Sequence, residues 1–544
     1  MANKSGLEVH PDWPAIGPSV SIPVSLGLKD CLSFVRPLLE KCVQSHDTCR
    51  QMNMTELPMR VLDLGTRDQP HVRLVLIESI DQKTALKYVA LSHCWGVGAS
   101  LVRTTTNNIS QHLKDIAWGE FSKTFQDAIC ITRGLDVRYL WIDSVCIIQD
   151  SMLDWASESK RMGGIYSNAH LTISATGSSD GSGGCLFPRW VKGPGATRRA
   201  RQTIPILSET RGGSLFEVHA RLTREAAHEQ FISNGENLPR MTAPLMSRAW
   251  CFQERMLSMR VLHFHSEEVV WECATSTACE CGFLKGSRGQ DQMPFKDKSY
   301  RLQASQVFQG LRAKEEVFNT WRGVVTQYSG LLLTRESDRL PALAGLAQRF
   351  QTAVGCPYLA GLWGDDLLRA LLWRRPVVGS TRRRVQSTGC KFPTWSWASV
   401  EHINSEEEEG ASGIYYPPAL DSDIDSQVEV LAISGLGSGE TSTLTVSDAS
   451  ITLRGVCTST PVLERDYENG VEIQYDVDEE KPTGMVTCLL VACIKGNFQC
   501  GFLYFLILVR LPSGKFDRVG CGHLEPGRGR NWFENASLMK VEIV

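Results

Sequence analysis

The sequence predicts an α/β protein: a core built on a parallel sheet, then a helical region, then a β-rich C-terminal domain. Three observations predict it. Strand-like and helix-like segments alternate between Tyr88 and Ala175, and that alternation is the signature of a parallel sheet. Helical periodicity runs from Gln303 to Trp373, and residues 428–544 return to strand-like runs. The chain therefore reads as an N-terminal helix and hairpin region (1–85), the α/β core (86–275), the helical region (276–400) and the β-rich domain (401–544).

Each element has its own reason. Leu32, Val35, Leu39, Cys42 and Val43 recur at three- and four-residue steps, predicting a helix from Lys29 to about Ser45. Pro37 falls inside it and is expected to kink it or mark its first turn. Met59–Leu64 and Val72–Ile77 read as a hairpin across Gly65–Pro70. Tyr88–Ser92 is a short apolar strand that ends at His93-Cys94-Trp95-Gly96, and Thr124–Gly134 is a helix with Phe125, Ala128, Ile129 and Ile131 inward. Tyr139–Ile148 is an almost unbroken apolar run holding one acid, Asp143. That pattern predicts a single strand buried on both faces. A helix over Leu153–Tyr166 and a strand over Leu171–Ala175 follow. Gly177–Gly184 is a loop, and without a Gly-Lys-Ser/Thr ending it is no phosphate cradle. Polar residues 189–240, with Arg198-Arg199-Ala200-Arg201, read as a solvated insertion. Order returns with a helix over Ala249–Leu257 and strands at Val261–Phe264 and Val269–Glu272.

Beyond the core, Pro341 and Gly355-Cys356-Pro357 break the helical pattern, and a helix start is expected over Asp338–Ala347. The acidic run Glu406–Glu409 marks a linker or exposed loop. Val428–Ile433, Ser450–Leu453, Met485–Val491 and Phe502–Val509 are expected as strands of a small antiparallel domain.

The charge balance, 57 Lys+Arg against 60 Asp+Glu, excludes the concentrated basic surface of a nucleic-acid binder. The longest apolar run, Gly501–Val509, is far short of the ~20 residues that cross a bilayer, so no membrane span is expected. The first residues lack the apolar stretch of a signal peptide. A cytoplasmic protein is expected, with its 18 cysteines reduced and mostly buried.

Four motifs in order carry a family resemblance: Tyr88–Gly96 (YVALSHCWG), Tyr139–Asp150 (YLWIDSVCIIQD), Asp154-Trp155 with Glu158 and Ile165-Tyr166, and Arg248–Arg260 (RAWCFQERMLSMR) with Val270–Cys273. Together they resemble the fungal heterokaryon-incompatibility (HET) domain. Cys42, His46 and Cys49 before the core, and Tyr358–Trp363 and Phe392–Ser399 after it, also resemble large members of that family. The resemblance implies fungal non-self recognition, in which an allelic or non-allelic partner triggers programmed cell death. It implies a core similar to Toll/interleukin-1 receptor (TIR) domains, self-association, and no required cofactor. Because some TIR domains cleave the nicotinamide–ribose bond of NAD with one glutamate, NAD or a related nucleotide is the implied substrate. Three readings stay open: an NAD-cleaving death effector, a non-enzymatic assembly module, and an accessory enzyme of fungal secondary metabolism.

Glu158 is the candidate catalytic carboxylate, because TIR enzymes place their glutamate on a helix after a strand, close behind a Trp. Such a charge stabilises the oxocarbenium-like ribose left by nicotinamide. The competing reading is an exposed helix acid pairing with Lys160, Arg161 or Arg133. Ser92, His93 and Trp95 are expected to line a ligand pocket at the strand's end; as nucleophile and base, Ser92 or Cys94 and His93 are poorly placed, since adjacent strand residues point to opposite faces. Asp143, inside an apolar run, must meet a partner such as Ser144, His93, Arg248 or backbone N–H groups. Arg248 is expected to pair with that acid or hold a ligand phosphate. His263, His265, Cys273, Cys279 and Cys281 match no standard zinc spacing, and no metal is expected.

Overall fold

Four of the core strands do run parallel, and antiparallel hairpins extend them on both sides. The computed structural model describes residues 22–23, 25–49, 57–66, 70–80, 86–96, 101–188, 204–209, 215–220, 231, 243–282, 284, 300–375, 382–385, 392–402, 413–417, 424–435, 449–462, 470–477, 482–494, 501–525 and 530–544. The basic run 198–201 and the acidic run 406–409 lie outside the described residues. The chain divides into two compact units, Met1–Ser305 and Gln306–Val544.

In chain order the first unit contains α1 (Leu28–Ser45), β1 (Arg60–Gly65), β2 (Pro70–Leu76), β3 (Tyr88–Ser92), α2 (Lys123–Gly134), β4 (Tyr139–Trp141), α3 (Met152–Asn168) and β5 (Leu171–Ser174). A two-stranded ribbon follows, β6 (Ile204–Glu209) with β7 (Leu215–Ala220). Then come α4 (Ala249–Leu257), β8 (Arg260–Phe264), β9 (Val269–Cys273) and β10 (Thr277–Cys279). Ser122 caps α2 by accepting from Phe125 N–H at 3.4 Å, and Ser151 caps α3 through Asp154 N–H at 3.3 Å. α1 runs on through Pro37 and buries Cys31, Val35, Leu39 and Cys42.

The sheet order is β10-β9-β8-β5-β3-β4-β1-β2. β4, β3, β5 and β8 are mutually parallel, whereas β1, β2, β9 and β10 join antiparallel. Numbered along the chain, the parallel strands lie in the order 2-1-3-4. The chain steps outward from β3 to β4, then crosses back to β5. The direction reverses between β3 and β5, and in open α/β sheets ligands bind outside the carboxyl ends of the strands at such a reversal. The right-handed rule for parallel crossovers assigns α2 and α3 to opposite faces; α1 packs on α2, and α3 on α4. With both faces covered, β3 and β5 are buried along their whole length.

One expectation fails here. Tyr139–Ile148 is not a single strand: β4 stops at Trp141, and Asp143–Cys146 forms one helical turn. Asp143 starts that turn, with its carboxylate accepting from Ser144 N–H at 2.7 Å, while Ser144, Val145 and Cys146 are buried. A buried turn and a buried strand share the same continuous apolar signature.

The second unit contains α5 (Lys314–Tyr328), α6 (Ala344–Val354), the short pairs β11 (Tyr358–Leu359) with β12 (Leu362–Trp363) and β13 (Arg382–Arg384) with β14 (Val400–His402), and a β-rich region. Its helix start is later than the sequence suggests, since two short 3₁₀ turns, Glu336–Asp338 and Pro341–Leu343, precede α6. The strands β15 (Ile424–Ser426), β16 (Val428–Ser434), β17 (Ser450–Pro461), β18 (Val471–Tyr475), β19 (Met485–Ile494), β20 (Phe502–Arg510), β21 (Phe516–Leu524) and β22 (Ser537–Ile543) form one sheet, antiparallel except for a single β21–β22 contact. Gly520 lets β21 approach β18, since a Cβ there would lie 2.4 Å from Gln474 O. Among the described residues, no helix is long and apolar enough to cross a membrane.

Candidate functional site

The carboxyl edge of the parallel strands gathers most of the expected site. β3 delivers Ser92, His93 and Trp95 beside the reversal point, and the turn after β4 delivers Asp143. Strand alternation sends Ser92 and His93 to different partners. The Ser92 hydroxyl donates to the Glu254 carboxylate on α4. His93 Nε2 lies 2.9 Å from Asp143 Oδ1, and Trp95 Nε1–H donates to Asp143 Oδ2 at 2.8 Å. The Arg103 guanidinium sits 5.1 Å over the Trp95 ring. Asp143 thus finds two of its expected partners, His93 and Ser144. It does not pair with Arg248, which lies against Cys94. Serine, cysteine and histidine are not assembled as nucleophile and base, because Ser92 is engaged by a carboxylate and His93 by another.

The His93 side chain is 1% exposed and that of Asp143 is 22% exposed, so the carboxylate is the half of the pair that reaches solvent. Burial opposes its charge, but the His93 ring outweighs it, with Trp95 and Ser144 N–H adding, and holds Asp143 below the usual carboxylate range. Reciprocally, burial disfavours His93 charging, and the Asp143 carboxylate overcomes this and raises its pKa. Both shifts run toward the charged forms of the pair. Glu254 behaves otherwise: burial pushes it up to about 7, and the Ser92 hydroxyl only partly offsets this. Tyr166 of α3, beside Glu254, donates its hydroxyl to Leu91 O at 3.1 Å. Glu254 and Tyr166 both lie in motifs of the sequence, yet nothing local to either motif joins them to Ser92.

Glu158 stands apart from this cluster. It is neither exposed nor cleft-facing, being 0% exposed on α3. Its Oε2 accepts from Met59 N–H at 3.4 Å, and Arg161 Nη1 is 4.0 Å from Oε1. Burial raises its pKa. The reason for its placement is periodic: Glu158, Met162, Ile165 and Tyr166 make one stripe of α3, and that stripe is the buried one. Among the described residues, Glu158 forms no hydrogen bond or ion pair with Ser92, His93, Trp95 or Asp143. His263 is held by Glu272 at 2.8 Å and Thr176 at 3.1 Å.

A doubly wound order with a polar cluster at its reversal point defines an α/β domain built around one edge. The family model for heterokaryon incompatibility protein (HET) matches residues 88–254, from the first residue of β3 to Glu254 itself. The chain therefore carries a HET domain over these residues, and that domain supports a heterokaryon-incompatibility-related role. No curated protein and no solved structure matches the chain.

Proposed function

We propose that this chain is an incompatibility effector that triggers programmed cell death, and that its HET domain acts by breaking the nicotinamide–ribose bond of NAD at the carboxyl edge of β3 and β4. One observation carries the reading: an ionised, partly solvent-facing Asp143, fixed by His93 and Trp95 at the carboxyl ends of β3 and β4, next to the reversal point of the sheet. Departure of nicotinamide takes the bonding electron pair to its ring nitrogen and leaves an oxocarbenium-like ribose. A fixed carboxylate stabilises that charge. Water then adds to the ribose carbon and releases a proton to solvent. The Trp95 ring offers a flat surface for a base or nicotinamide ring. The 2-1-3-4 order of the parallel strands supports a TIR-like core. Self-association and an allelic or non-allelic partner belong to the same proposal.

A second reading has its own support. Both Asp143 oxygens and the Ser92 hydroxyl are satisfied internally, as a non-enzymatic assembly module requires. NAD depletion and nicotinamide release by the purified chain separate the two, with toxicity on overexpression in a fungal host measured alongside. Asp143→Asn is expected to lower turnover on the order of 10²-fold, about 3 kcal/mol of barrier, while Glu158→Gln leaves it near wild type. The reverse pattern moves the chemistry to α3. Toxicity without turnover favours the assembly module, and normal growth at verified protein levels overturns the effector reading.

A further inference from the structure

The end of α1 and the end of β9 bring four metal-binding side chains to one point. Cys42 lies in the last turn of α1, His46 is its C-cap, Cys49 ends the short turn Asp47–Cys49, and Cys273 is the last residue of β9. One donor atom from each lies within 4.8 Å of the other three. The three cysteines are buried and His46 is half-buried.

The spacings suit a tetrahedral ion. With Zn–S at ~2.3 Å and Zn–N at ~2.0–2.1 Å, tetrahedral geometry sets N···S edges of ~3.5 Å and S···S edges of ~3.8 Å. His46 Nδ1 is 3.5 Å from Cys273 Sγ and 3.9 Å from Cys49 Sγ. The surroundings suit thiolates. Ser276 N–H donates to Cys273 Sγ at 3.2 Å, Arg260 Nε–H donates to Cys42 Sγ at 3.2 Å, and the Thr275 hydroxyl is 3.3 Å from Cys49 Sγ. Outer donors of this kind orient metal ligands. Three thiolates around a divalent cation leave one net negative charge, and the buried Arg260 guanidinium offsets it.

We propose that Cys42, His46, Cys49 and Cys273 bind a structural zinc ion that clamps α1 to β9. Four protein ligands close the coordination shell, which is the mark of a structural rather than a catalytic zinc, and a thiolate-rich set selects a soft borderline metal. Binding displaces three thiol protons to solvent, so the metal contributes to folding only where those thiols can ionise. Glu268, Cys279 and Cys281 form a second close group with three donors, one short of a closed shell.

The test uses the full chain purified without added metal or chelator. Elemental analysis is expected to find at least one zinc per chain. Cys42→Ser and Cys273→Ser should each lose one equivalent, and Cys457→Ser, in the second unit, should lose none. Should the cysteine variants fail to fold, wild type produced with cobalt answers the same question. It should show the strong visible bands of tetrahedral cobalt and a thiolate-to-metal band in the near ultraviolet. Zinc-free, colourless wild type overturns the proposal, as does zinc retained in full by both variants. Two thiols missing per denatured, unreduced chain, mapped to Cys42, Cys49 or Cys273, would mean a disulfide in place of the metal and would overturn it equally.

Discussion

Glu254 is a carboxyl group where charge is expensive. Burial lifts it from an ordinary 4.5 to about 7, so the folded chain holds its proton more tightly than the unfolded one. A raised folded pKa adds stability that is fully present below about pH 4.5 and is lost as pH climbs through about 7. Glu254→Gln keeps the size and an acceptor for Ser92 but cannot titrate. Unfolding free energies by denaturant should therefore favour the variant progressively more from about pH 4.5 to about pH 7. Parallel pH profiles for the two proteins would show that the carboxyl titrates normally. Ser92, His93, Trp95 and Asp143 were visible in the sequence because they interrupt or end apolar runs. Glu254 was not, since Arg248, Gln253 and Arg255 crowd the same helix and helical periodicity does not rank them.

At the scale of elements, Glu272 ties α4, β8 and β9 together. Arg255 Nε and Nη2 each lie 2.8 Å from its carboxylate, His263 Nε2 lies 2.8 Å away, and Arg301 Nε lies 4.0 Å away. Burial opposes its charge, yet Arg255 and Arg301 hold it well below the usual carboxylate range. Removing it strands the Arg255 guanidinium and leaves the buried Arg301 charge with carbonyl partners only, and breaking a buried network costs ~3–5 kcal/mol. Glu272→Ala should fall near the low end, because the Arg255 side chain is 21% exposed. A loss under ~1 kcal/mol by denaturant unfolding would mean that solvent screens the network as it does a surface pair. Elements with regular periodicity, α1 to α4 and the β1–β2 hairpin, were legible from sequence. The turn at Asp143 was not, because burial hides the difference between strand and helix. Glu158 marks the opposite case: its stripe with Met162, Ile165 and Tyr166 was written in the spacing, but motif position drew attention to an active carboxylate.

At the scale of the whole molecule, long-range placement was the illegible part. No local pattern orders β4, β3, β5 and β8, or carries Cys273 to Cys42 and Cys49. Yet the described core is partitioned in a way that makes a prediction. One buried core draws its side chains from Leu26 to Ala278, and another lies between Val471 and Leu524. The polar cluster around Asp143 and the four-ligand group fall wholly within Met1–Ser305. A chain ending at Ser305 should therefore melt in one cooperative transition, because its core keeps its own packing partners and most of its buried area. If the effector reading is right, overexpressing that shortened chain should arrest a fungal host as the full chain does, and Asp143→Asn should relieve the arrest in both. A folded fragment that leaves growth normal, beside a lethal full chain, would make residues 306–544 part of the effector. A fragment with no cooperative melt would show that the first core does not stand alone.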